Sequence, residues 1–153
     1  MILNANSSIS YSEGWDKGHE REVWVKGEAF FKVKKTTSKS QFIVHTDQLD
    51  VVVTGTQFNV VSRSDKSSVM LTEGSVLIRT KDGLETRMVP GDFVELFNSH
   101  LERKAVKEET VLAWKDKKLF FDNTPLNLAV QKIKEHYGED IVIADESLAA
   151  KTI

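Results

Sequence analysis

A chain of 153 residues with 40% hydrophobic content carries enough apolar surface for one core, or one core with a small appendage. Its 21 basic and 23 acidic residues leave a formal net charge of -2, with no basic face of the kind that neutralises phosphates, which argues against nucleic acid as a partner. The absence of cysteine excludes disulfides and thiolate catalysis, and the short apolar runs fall far below the roughly 20 residues a membrane helix requires.

The opening "MILNANSSIS" lacks both the charged leader and the apolar h-region of a secretory signal. Ile2 and Leu3 already read as strand residues, and the other end stops at "AAKTI" without a polar tail. The chain therefore reads as an excised piece of a longer protein.

Strand signals follow in close succession. They are "EVWVKG" (22–27), "AFFKVK" (29–34), "QFIVHT" (41–46), "LDVVVTG" (49–55), "TQFNVVS" (56–62), "SVMLTEG" (68–74), "SVLIRT" (75–80), "LETRMV" (84–89), "DFVELF" (92–97) and "LERKAV" (101–106). Turn signals at intervals of about 8 to 12 residues suit a sandwich or barrel. Asp82-Gly83 predicts a tight hairpin in which both central residues take positive φ. Pro90-Gly91 predicts a turn with proline first and a positive-φ glycine second. No helix-length segment separates the strands, so parallel βαβ organisation is disfavoured. Residues 1–111 are expected to form an antiparallel β-sandwich or jelly-roll-like domain of about ten strands.

Within "LDVVVTGTQFNVVS" (49–62), Gly55 interrupts a strong strand signal. A glycine there predicts a bend, a bulge or a close backbone approach that a β-carbon would block. Phe30 and Phe31 are adjacent in one strand, so they point to opposite faces. One belongs to the core, and the other under a second layer or at an interface.

Near residue 112 the pattern changes. Glu109-Thr110 and Trp114 to Lys118 mark a linker, and residues 112–153 read as a small truncated β-α-β module. "LFF" (119–121) predicts a strand, Asn123 or Thr124 an N-cap, and Pro125 the first helical residue. Leu126, Ala129, Val130, Ile133 and Tyr137 form the stripe of an amphipathic helix. Gly138 closes it, and "DIVIA" (140–144) predicts a second strand. Such a unit buries too little apolar surface to stand alone, so it should dock on the β domain, a partner or residues outside this chain.

No catalytic, cofactor-binding or metal-binding constellation emerges. His19, His45, His100 and His136 form no H-x-H or H-x-x-x-H pair, and the close histidines and glutamate of a cupin metal site are missing. There is no nucleophile elbow or phosphate loop. Glu28, Glu73 and Glu95 lie in or beside strands, where a solvated carboxylate is the ordinary reading and an acid pair the sharper one. Trp15, Trp24 and Trp114 leave open a carbohydrate-binding or glycan-processing sandwich.

"GEAFFKV" (27–33), "FIVHT" (42–46), "LDVVVTGTQFNV" (49–60), "LTEGSVLI" (71–78) and "VPGDFVEL" (89–96) resemble, in order and spacing, the motifs of the FecR family of envelope anti-sigma factors. The structural positions of that pattern are Gly27, Glu28, Gly55, Thr56, Phe58, Gly74, Pro90 and Gly91. The upstream "LNANSSISY" is similar to the family's opening, while the usual P-G-E-Q appears as Pro90-Gly91-Asp92-Phe93. The tail is similar to the C-terminal module related to the signalling domains of TonB-dependent receptors and secretins, of which this chain holds the first half.

The resemblance implies a non-enzymatic, periplasmic sensing half of a transmembrane sigma regulator. Its partners would be the signalling domain of an outer-membrane TonB-dependent receptor and, through a cytoplasmic segment, an extracytoplasmic-function sigma factor. A membrane helix would precede the sequence, and no cofactor is implied. The helix face with Gln131, Lys132, Lys134, Glu135 and Tyr137 is the candidate partner-binding surface, with β-augmentation at a sheet edge beside it. A partly exposed apolar stripe would also favour a dimer of the fragment.

Overall fold

The computed structural model describes residues 1–12, 21–63 and 66–153. Trp15 and His19 lie outside the described residues. The strands are β1 (Ile2–Leu3), β2 (Ser8–Tyr11), β3 (Arg21–Lys32), β4 (Phe42–His45), β5 (Leu49–Val53), β6 (Gln57–Arg63), β7 (Lys66–Glu73), β8 (Val76–Thr80), β9 (Glu85–Met88), β10 (Phe93–Phe97) and β11 (His100–Lys104). They pair in the order β11-β10-β7-β6-β3-β4-β5-β8-β9, with β1 and β2 also on β3. The expected mainly β, antiparallel sandwich is therefore the fold.

One strand joins its two layers. The segments 22–27 and 29–34, expected as separate strands, are the single strand β3. Residues 21–26 pair with β2 and β4, and residues 27–32 pair with β1 and β6. The corner is Gly27, at φ +97, where a β-carbon would lie 2.6 Å from that of Ser7. Only glycine accommodates both the dihedral and the contact at low cost. A further departure is the β3–β4 pair, which is parallel, because the chain leaves β3 on one layer and returns beside its first half on the other.

Alternation sorts each strand into an inward and an outward set. Val23, Val25, Phe31, Val44, Val51, Phe58, Val60, Val69, Leu71 and Ile78 fill the space between the sheets, with Phe31 stacked on Phe58 at 5.2 Å between centroids. On the outer side of the β6-containing sheet, Phe30, Asn59, Met70 and Phe93 form one cross-strand row. Phe30 and Met70 are nonetheless buried. Phe31 is thus the core phenylalanine and Phe30 lies under a second layer, as its adjacent position required.

That layer is the C-terminal segment. The expected linker is instead helical: α1 (Glu108–Leu112) runs into a short 3-10 turn, 113–116. Trp114 is buried there, and Lys115 Nζ sits 3.6 Å from the Phe30 ring centroid, a cation–π contact. Helix α2 (Leu126–Tyr137) follows.

The flanks of α2 differ from a β-α-β unit. Neither 119–121 nor 140–144 is a strand; the only bridge in this region is between Pro125 and Thr152. Pro125 occupies the N-cap position itself and no side chain caps the helix. The chain's own end does so instead, with Leu126 N donating to Lys151 O at 2.7 Å and Asn127 N to Ala149 O at 3.0 Å. These bonds satisfy two of the orphan amides every helix start presents. Gly138 closes the helix in the left-handed region, as expected, its N–H on Lys134 O at 2.8 Å.

Turn chemistry divides similarly. At Pro90-Gly91, Asp92 N donates to Val89 O at 3.0 Å and Gly91 has positive φ, as expected. At Asp82-Gly83 only the glycine has positive φ. Leu84 N donates to the Thr80 hydroxyl and Thr80 N to Leu84 O, which makes a longer hairpin loop than a two-residue turn.

A candidate interaction surface on the C-terminal layer

The layer is attached to the β domain by polar contacts at the end of β6. Arg63 Nη1 donates to Glu135 O at 2.9 Å and Arg63 Nη2 to Ala5 O at 2.7 Å. Asn6 Nδ2 reaches the same Glu135 oxygen at 3.2 Å. One guanidinium therefore holds both the last turn of α2 and the loop before β2. Neither Arg63 nor Asn6 stands out in the sequence, because the groups they bind are main-chain carbonyls that any residue supplies.

Between this layer and the sheet lies a cleft of 290 Å³, which Lys132, Glu135 and His136 of α2 line together with Glu28, Ser68 and Trp114. Lys132 and Glu135 therefore stand at the cleft, while Gln131 and Tyr137 face solvent. Gln131 Nε2 donates to Glu135 Oε1 at 2.9 Å, the i, i+4 spacing of helix neighbours. Lys134 pairs with Asp140 at 2.9 Å, and this ammonium holds the Asp140 carboxyl below its usual range. Asp145 is also lowered, by hydrogen bonds from Ser147. His136 meets the Tyr137 ring edge-on.

Of the apolar stripe on α2, Ala129 is buried, Leu126, Val130 and Ile133 are half-buried, and Tyr137 is exposed. Phe120, Leu128, Tyr137, Val142 and Ile153 are each more than two-fifths exposed, Val142 at 80%. Large exposed apolar residues are a feature of partner-binding surfaces where they adjoin one another.

The carboxylates do not assemble into an acid pair. Glu28 accepts from Asn4 Nδ2 at 2.7 Å and Asn59 Nδ2 at 2.8 Å. Glu95 shares its cross-strand row, by way of Val61 and Ser68, but three strand spacings of about 4.8 Å separate them. Glu95 is bonded to Lys104 and Glu73 to Gln57. Among the described residues no group of three or more histidine and acidic side chains is placed to hold a metal, and no helix is long and apolar enough to cross a membrane. Trp24, half-exposed, stacks on His45 on one sheet, while Trp114 is buried over the other, so these two form no shared platform.

The motif positions serve the scaffold. Thr56 is buried; its main chain exchanges two hydrogen bonds with Val33, and its hydroxyl donates to Ser75 O at 2.9 Å. A β-carbon on Gly55 would lie 2.7 Å from Lys35 Cβ, the close approach expected there. Phe58 is in the core.

The comparisons agree with this layout. Two crystal structures of a Parabacteroides distasonis protein assigned as an anti-sigma factor each match with a TM-score of 0.83 at 27% identity, over 99% of this chain and 72% or 71% of theirs. Among curated proteins nothing matches significantly. The model of the family described as "FecR protein" matches residues 1–77, half of the sequence and the stretch containing Gly27, Gly55, Thr56, Phe58 and Gly74, so the chain belongs to the FecR family.

Proposed function

We propose that this chain is the sensing part of an anti-sigma factor and works by binding other proteins. The observation that carries this reading is the correspondence, over 99% of the chain, with a protein assigned as an anti-sigma factor, within a family whose members are regulators. In the proposed arrangement the chain lies in the periplasm, anchored by a membrane helix outside the sequence described, and receives the signalling domain of an outer-membrane TonB-dependent receptor. The sigma factor is engaged by a cytoplasmic segment of the same protein.

The C-terminal layer is the proposed contact. Its exposed Phe120, Leu128, Tyr137, Val142 and Ile153 supply apolar area, and Gln131, Lys132, Lys134 and Glu135 supply a polar rim, the division found at many interfaces. Calorimetric titration of the chain with the soluble signalling domain of the receptor encoded beside it tests this. Saturable binding weakened by Tyr137→Ala and Leu128→Ala is expected. No binding to that domain or to several of its relatives would overturn the receptor reading. Self-association of the chain, abolished by the same two substitutions, would instead assign the patch to a dimer.

A further inference from the structure

The bend at Gly27 has a second effect: it brings the two ends of β3 to the same open end of the sandwich. Between them lies a cavity of 390 Å³, separate from the cleft under the C-terminal layer. Its wall is apolar, with Ile9 from β2, Val23 and Phe31 from the two ends of β3, and Phe42 from β4. Phe42 and Phe31 are 6.0 Å apart between centroids, so the wall is continuous with the aromatic part of the core.

Among the described residues the charged lining is of one sign. Arg21, Lys32 and Lys34 border the cavity, and no carboxylate is among the described residues that do. The Arg21 guanidinium lies 5.7 Å from the Phe42 centroid and Nη2 donates to Ser40 O at 2.6 Å, while its Nε is buried without a hydrogen-bond partner among the described residues. An apolar wall bordered by three cations matches a molecule with a hydrocarbon body and one negative end.

We infer that this cavity binds a single-chain anionic amphiphile, its hydrocarbon against Phe31 and Phe42 and its charged head at Arg21, between Lys32 and Lys34. The occupant size follows from volume. At 390 Å³ the cavity falls at the lower end of small-molecule sites, about 300–1,000 Å³, which suits one medium-length chain better than a two-chain lipid. The inference is independent of the anti-sigma reading, because it rests on one end of the β domain alone.

Sodium dodecanoate, titrated calorimetrically into the full 153-residue chain, is the direct probe. Octanoate tests the length, dodecyltrimethylammonium the charge, and a dodecanoyl lysophosphatidylglycerol the source of the anionic head. One saturable site per chain is expected, with the cationic amphiphile at least about tenfold weaker, the factor that corresponds to loss of one charged hydrogen bond, and octanoate at least about tenfold weaker for the four buried methylenes it lacks. Arg21→Gln and Lys34→Glu should each weaken the preferred anionic chain by a similar factor. Lys34 is exposed, so its variant keeps the test valid if Arg21→Gln does not fold. Saturable binding of either anionic chain supports the site and distinguishes a free acid from a phospholipid head. Failure of both, equal binding of the cationic chain, or undiminished binding by the folded variants would overturn it.

Discussion

A β-carbon on Gly74 would lie 2.6 Å from the main-chain oxygen of Gly55, so the turn that ends β7 and the turn that precedes β6 pack backbone against backbone. Gly74 also has φ +93, a conformation other residues adopt only with strain. Gly74→Ala combines strain with a clash and should cost roughly 2–4 kcal/mol. Gly55 is not at positive φ, so Gly55→Ala should cost less than Gly74→Ala, and Gly55→Val, which crowds Lys35, more than Gly55→Ala. Calorimetric melting of the three variants checks the order. An unchanged melting curve for Gly55→Val would refute the close-approach reading.

Arg63→Ala removes the donor shared by the Glu135 and Ala5 carbonyls. Hydrogen bonds to a charged partner contribute about 1.5–3 kcal/mol, so the C-terminal layer should loosen while the sandwich stays intact. Hydrogen exchange is the discriminating measurement. Faster exchange in α2 with unchanged protection in β6 and β7 is expected. Uniform loss of protection across both would mean that layer and sandwich unfold as one unit.

Trp114 is buried, yet its indole Nε1 has no hydrogen-bond partner among the described residues. Its contribution is therefore area and shape. Trp114→Phe should cost less than about 1.5 kcal/mol, the range for swaps that keep most of the volume, and Trp114→Ala about 3–5 kcal/mol. Chemical denaturation of both variants checks this. A loss for Trp114→Phe well beyond that range would contradict this reading.

The pH dependence follows from two lowered carboxyls and one raised ammonium. Asp140, beside Lys134, and Asp145, bonded by Ser147, both titrate below their usual 3.8 in the folded chain. A depressed carboxyl stabilises above its unfolded pKa, and that contribution disappears as pH falls through the folded value. Lys104, raised above 10.5 by Glu95, stabilises below its unfolded pKa and loses this as pH rises through the folded value. These groups leave stability level around neutrality and lower it at both extremes. All three are exposed, so the effects are small. Melting Asp140→Asn against the parent from neutral to acidic pH should show a narrowing difference; a difference that widens in acid would contradict the Lys134 pairing.

The strands were legible because alternation leaves a period-two trace, and Phe30 and Phe31 even announced the second layer. The continuity of β3 was not, since Gly27 in a sequence marks a break as readily as a corner. The parallel β3–β4 pair was hidden too, because register between strands is a property of the folded chain. In the tail, "LFF" and "DIVIA" have strand composition but no neighbouring strand in this chain, and composition without a partner makes no sheet. The candidate surface was readable as helix residues, whereas its anchorage through Arg63 was not, because carbonyl acceptors are invisible in side-chain identity.

The capping of α2 by residues 149–151 gives the layer a mechanical polarity. Those bonds and the Thr124–Ile153 main-chain pair, 3.1 and 3.0 Å, join the start of the helix to the last residues of the chain. Tension on residue 153 would first be borne by the opening turn of α2, and only afterwards by the sandwich through the grip of Arg63 at the helix's other end. A pull at residue 153 would open the helix as a release catch, with the β-sheets as the fixed mount.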